Sequence, residues 1–132
     1  MTAVTISGDG RAGLRAEIAS FYRGFGQPDA LLTAFRSAAL LVPITGDDRL
    51  LTTRFGGVEW VCGFTGEHDY ARYVLARGLD ADTDYRYRTI FGAHLADWAG
   101  RRTATPTGVL VDIAGAAPMA FPPQIANSED DR

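Results

Sequence analysis

Apolar residues along this chain follow two spacings, and the switches between them divide it into elements. Between residues 11 and 25, Leu14, Ile18, Phe21, Tyr22 and Phe25 recur every three or four positions, as on one face of a helix. Gly26 and the Gln27-Pro28 step predict its end, because the residue before a proline avoids helical backbone. Pro28 suits the first position of a second helix, with Asp29 near its positive end and Leu31, Leu32 and Phe35 facing inward. The run ALLVPI at 39–44 reads as a strand, with Pro43 near its end.

Residues 49–64, RLLTTRFGGVEWVCGF, read as a β-hairpin closed on Gly56-Gly57, since glycine adopts positive φ without steric cost. A two-residue loop sets Phe55 opposite Val58, Arg54 opposite Glu59, Thr53 opposite Trp60 and Leu51 opposite Cys62. Alternation then puts Leu51, Thr53, Phe55, Val58, Trp60, Cys62 and Phe64 on one mostly apolar face, expected to bury against helices. Thr65 is expected to cap a helix with Glu67 and Asp69 in its first turn, Tyr70, Tyr73 and Val74 inward, and Gly78 at its end. An acidic loop follows at 79–84, then a strand at 85–91 with Tyr85, Tyr87 and Phe91 inward and Arg86 and Arg88 outward. A short helix at 93–99 packs Leu95 and Trp98, a strand covers 107–113, and a brief apolar run covers 118–121. These elements predict one α+β domain, with a mixed β-sheet that includes the Gly56-Gly57 hairpin, packed by about four helices. Residues 1–10 read as a flexible N-terminus, and 123–132 as a disordered acidic tail with little to bury.

Composition narrows the function classes. The 132 residues, 46% hydrophobic and 22% charged, suit one globular domain. A net charge of −3 argues against a nucleic-acid partner. All 13 basic residues are arginine, so no lysine can serve as Schiff base or phosphate anchor. A lone cysteine and the lack of a signal-like N-terminus or long apolar run predict a cytoplasmic protein with no membrane partner.

Several residue groups imitate chemistry. Gly8-Asp9-Gly10-Arg11-Ala12-Gly13 spells a dinucleotide fingerprint, but the next element carries Pro28 and a helical stripe where a second parallel strand belongs. Cys62 with His68, His94 and Asp112 supplies the residue types of a thiol enzyme, yet Cys62 falls on the apolar hairpin face. Neither histidine has a metal-ligand spacing, and 80–84 imitates a calcium loop whose sixth position is Tyr85 instead of glycine. No catalytic residue, cofactor or metal is therefore expected. Arg86, Arg88 and Arg101-Arg102 could form a basic spot that suits an acidic protein better than nucleic acid.

PDALLTAFRSAALLVPI, the hairpin, GFTGEHDYARY and GVLVDIAGAAPMAFP together resemble the SseB-type N-terminal domain over residues 28–122. By that resemblance residues 11–27 are an added N-terminal helix, and Asp112-Ile-Ala-Gly115 stands where the family tends to read Asn-Pro-Gly. The resemblance implies no established catalytic activity and a setting beside secretion or toxin systems. The expectation is a non-enzymatic, cytoplasmic protein-interaction domain, an accessory or regulatory factor linked to secretion or toxin systems, with Phe21, Tyr22, Phe25, Arg86, Arg88, Asp112 and Gly115 as contact residues. Two alternatives stand beside it: a small-molecule binder or thiol enzyme using Cys62 and His68, and a homodimerising module whose first helix packs on its mate.

Overall fold

A computed structural model describes residues 10–77, 86–102 and 104–123. The order is α1 (Arg11–Tyr22), α2 (Pro28–Ser37), β1 (Ala39–Pro43), β2 (Thr52–Phe55), β3 (Val58–Gly63), α3 (Glu67–Ala76), β4 (Tyr87–Phe91), α4 (Gly92–Gly100), β5 (Thr107–Val111) and β6 (Met119–Phe121). This is the expected single-domain α+β fold, with four helices among the described residues. The strands form a four-stranded sheet, β2-β3-β5-β6, and a two-stranded sheet, β1-β4; a bridge between Leu41 and Phe64 joins them, and another between Ile44 and Leu50 ties the end of β1 to the lead-in to β2. Among the described residues only β3 and β5 run parallel, and α3 and α4 lie between them in the chain.

Local chemistry explains most of the boundaries. Helix α1 stops earlier than its apolar stripe suggests: Phe25 N–H bonds Ser20 carbonyl and Gly24 N–H bonds Phe21 carbonyl, a Schellman closure with Gly24 at φ 87°. Pro28 opens α2 with Asp29 in its first turn, as expected. The hairpin turn is type I′, with Gly56 at φ 64° and Gly57 at φ 82°. Its register runs Phe55↔Val58, Arg54↔Glu59, Thr53↔Trp60 and Thr52↔Val61, and Arg54 lies 3.1 Å from the Glu59 carboxylate. Strand β5 ends at Val111 instead of 113, because Asp112 turns the chain at φ 52°.

The core has two parts. On one side of the sheets, Val61, Val109 and Val111 pack with Leu40, Val42, Leu14, Ile18, Leu31, Phe35 and Leu95. Phe35 stacks on Phe121 with ring centroids 4.2 Å apart. On the other side, Leu41, Cys62 and Phe64 pack with Tyr70, Tyr73 and Val74 of α3. Burying α1 through Leu14 and Ile18 makes it part of the same core as α2 and the sheet.

Four expectations about side chains are corrected. The hairpin face named above is buried only at its Cys62–Phe64 end; Leu51 and Phe55 are exposed, and Val61 on the opposite face enters the larger core. Leu32 is exposed, one position off the buried Leu31–Phe35 stripe. Thr65 does not cap α3; that position is Gly66, and the Thr65 side chain is engaged elsewhere. Strand β4 has the expected period of two with the phase reversed. Leu40↔Ile90 pairing turns Ile90 to the larger core, whereas Tyr87 and Phe91 remain exposed, Tyr87 resting edge-on against Tyr70. The strand's aromatic positions therefore are not its core positions. Tyr85, Gly78, the acidic stretch 79–84, Met1 to Asp9 and the tail from Gln124 lie outside the described residues.

Candidate functional site

Helix α3 is flanked by two concave surfaces. The first is an apolar groove of about 630 Å³ on the side of the four-stranded sheet that α3 covers only in part. Its floor crosses all four strands: Thr53 and Phe55 from β2, Trp60 and Cys62 from β3, Leu110 from β5 and Ala120 from β6. Tyr73 and Ile113 close two of its sides. The Trp60 ring lies against β5, where a Cβ on Gly108 would come within 2.6 Å of it, so only glycine lets the indole lie flat there. Phe55 is 78% exposed, which leaves a large ring at the groove's rim without an intramolecular cover.

Cys62 sits at the inner end of this groove, 5% exposed. Burial pushes its thiol up to about 11, only partly offset by the Arg77 guanidinium. A thiol in that state is protonated at neutral pH and is a poor nucleophile. Arg77 is committed to Tyr73: it donates to the phenol oxygen at 2.8 Å and lies 5.5 Å from the ring centroid.

The second surface is a polar cleft of about 350 Å³ between α1, α3 and the loop after β5. His68, Asp69 and Arg72 line it from α3, Arg15 from α1, and Asp112 and Gly115 from the loop. Asp112 is the keystone here. Its Oδ1 accepts from Thr65 N–H at 2.9 Å and its Oδ2 from the Thr65 hydroxyl at 2.7 Å. The same hydroxyl accepts from Arg15 Nε at 2.7 Å, and Arg15 Nη2 pairs with Asp69 at 3.0 Å. Burial pushes the Asp112 carboxyl above its ordinary 3.8, against the two Thr65 hydrogen bonds, which pull it down. The arrangement ties α1, the start of α3 and the β5–β6 loop together, which is a structural task.

The residues singled out in the sequence are dispersed. Cys62 lines the apolar groove and His68 the polar cleft, so they do not share a site. His94 lies on α4 against Phe91, facing a third surface with Arg88 and Trp98. Phe21, Tyr22 and Phe25 are exposed around the end of α1, and the Tyr22 hydroxyl donates to the Pro118 carbonyl. Asp112, expected at a contact surface, is 9% exposed and turned inward, while Gly115 N–H bonds back to its carbonyl at 2.9 Å. The basic spot is largely neutralised: Arg86 pairs with Asp48 at 3.1 Å, and Arg102 pairs with Glu59 at 2.9 Å while stacking over Trp98. Gly10 opens α1 at φ 67°, a Cβ there would lie 2.6 Å from the Ser37 carbonyl oxygen, and Gly13 is inside the helix. Gly10 thus serves the close approach of α1 to the end of α2, whereas a Cβ on Gly13 would meet open space. Among the described residues, no group of three or more His, Cys, Asp or Glu is placed to hold a metal ion, and no helix is long and apolar enough to cross a membrane.

The groove itself escaped sequence reading. The apolar pattern put Phe55 on a face expected to bury, with nothing to mark the part that α3 leaves open. Fold and surface together define a small α+β domain with one sheet face closed and one partly open. No protein-family model, curated protein or solved structure matches the chain.

Proposed function

We propose that this domain works by binding another protein through the partly open face of its four-stranded sheet. The observation that carries this reading is the apolar groove of Phe55, Trp60, Leu110 and Ile113, whose one nucleophilic side chain is buried and protonated. Apolar ground rimmed by a highly exposed aromatic ring suits a protein partner better than it suits polar chemistry. The resemblance of the Phe-Thr helix start and the hairpin to SseB-type domains directs the search for that partner to cytoplasmic components of secretion or toxin systems. The exposed ring trio Phe21, Tyr22 and Phe25 offers a second contact area at the C-terminal end of α1.

The test is photo-crosslinking in the native host, with a photoreactive amino acid placed at Phe55 or, as control, at the exposed Arg36 of α2. The reading expects a discrete adduct from position 55 that is lost when Trp60 is changed to serine. Adducts of equal yield from both positions would overturn it.

A further inference from the structure

We infer that the outer edge of β2 pairs with the same edge of a second copy of this chain, in antiparallel register about a two-fold axis at Thr53. The inference rests on the open-face reading and goes beyond it, since it joins two such faces into one. Strand β2 ends the sheet order β2-β3-β5-β6 and, among the described residues, pairs only with β3. Its free hydrogen-bonding groups follow from the hairpin. In a two-residue hairpin the residues flanking the turn, Phe55 and Val58, exchange hydrogen bonds, and so do Thr53 and Trp60 two positions on. The pairs between them do not: Glu59 N–H points away from β2 and bonds the Pro106 carbonyl at 2.9 Å. The N–H and C=O groups of Thr52 and Arg54 therefore point outward, to the sheet's edge.

Of the two-fold registers open to these groups, the one about Thr53 also brings exposed apolar side chains together without a charge clash. With Thr53 opposite the second copy's Thr53, Thr52 exchanges hydrogen bonds with the second copy's Arg54, and the reverse pair does the same. Phe55 then lies beside the second copy's Leu51, so two exposed apolar side chains cover each other twice over. Shifting the axis to Arg54 sets two guanidinium groups face to face, which is unfavourable. Shifting it to Thr52 leaves Phe55 beside the second copy's Arg49 and Leu51 beside its Thr53, so the exposed apolar side chains no longer meet. Each Arg54 keeps its Glu59 partner in the favoured register, because that pair lies within one copy. The two grooves meet across the axis, with Phe55 of both copies near the middle of a continuous sheet.

The experiment uses the full chain and the residue on the axis. Light scattering of the wild-type protein should give a dimer mass that falls to monomer on dilution. Thr53→Arg and Thr53→Glu each set like charges opposite each other, so each alone should be monomeric, and an equal mixture should recover the dimer. Thr53→Cys should oxidise to a covalent dimer about tenfold faster than Thr33→Cys on α2, because a pair without hydrogen bonds brings facing Cα atoms within disulfide reach. Circular dichroism checks that each variant is folded; the cysteine pair carries the test if a charged variant is not. A wild-type monomer at all concentrations with equal crosslinking at both cysteines overturns the inference, as does a dimer indifferent to charge at position 53. A monomer whose position 55 still crosslinks specifically to another protein sinks the pairing and leaves the proposed function standing.

Discussion

The two faces of the four-stranded sheet are built from the same kind of residue and end in different states. On one face, Val61, Val109 and Val111 meet three helices, and the side chains that cover them, Leu14, Phe35 and Leu95, are fully or almost fully buried. On the other, Cys62 meets a single helix of ten residues, Glu67–Ala76, and beyond its reach Trp60, Phe55 and Leu110 are left as a groove. The difference is one of coverage. Apolar pattern decides what can be buried, whereas the number and length of covering elements decide what is buried.

The sharpest way to break this contrast is to truncate an aromatic on each face. Phe35→Ala on the closed side removes a ring that stacks on Phe121 and is 1% exposed, so it should cost about 3–5 kcal/mol of folding stability. Chemical denaturation with an unchanged dependence on denaturant checks it. A loss below about 1 kcal/mol would mean that this side is also loosely covered.

Two carboxylates test the contrast at the level of single groups. Asp112→Ala leaves the Thr65 amide and hydroxyl without their acceptor in a buried place and should cost about 1–3 kcal/mol. Asp112→Asn should cost less, since an amide oxygen still accepts from Thr65 N–H and asparagine tolerates positive φ. The pH dependences have opposite signs. Burial raises Asp112 above 3.8, so its favourable contribution is complete below 3.8 and fades as pH rises through the raised value. Wild type should therefore gain stability relative to Asp112→Asn on acidification towards 3.8. At Glu59, burial pushes the carboxyl up, but the Arg102 and Arg54 guanidinium groups outweigh it and hold it below 4.5. Its contribution is present above 4.5 and lost as pH falls through the lowered value, so wild type should lose stability relative to Glu59→Gln in the same acid range. Parallel thermal melts of the two pairs across that range would show whether the signs diverge.

Much of the fold was legible because it is local. Gly56-Gly57 dictates the hairpin register within four residues, and Pro28 with Asp29 announces α2. Direction was harder wherever a distant partner decides it. The phase of β4 depends on its pairing with β1, about fifty residues earlier, which turns Ile90 inward and leaves Tyr87 and Phe91 out. The Asp112–Thr65 clamp joins residues 47 apart and needs a positive φ that no periodicity announces. The groove depends on what α3 fails to cover, and an absence of cover leaves no pattern in the chain. Cys62 is buried, as its place on the apolar hairpin face predicts, because that end of the face packs beneath α3 whatever the rest does.

The smallest expected change in stability is also the most discriminating. Phe55→Ser alters a ring that is 78% exposed, next to a turn whose glycines, not its neighbours, set the geometry. It forfeits one cross-strand contact with Val58 at the end of a short strand, worth about 0.5 kcal/mol. That should leave the unfolding temperature within a few degrees of wild type. The same substitution removes the ring offered at the groove's rim and, in the paired sheet, its contact with the second copy's Leu51. Self-association and partner crosslinking should therefore fall while the melt hardly moves. A loss of stability comparable to that of Phe35→Ala would show that Phe55 is covered within the single chain, and the two faces of the sheet would then no longer differ.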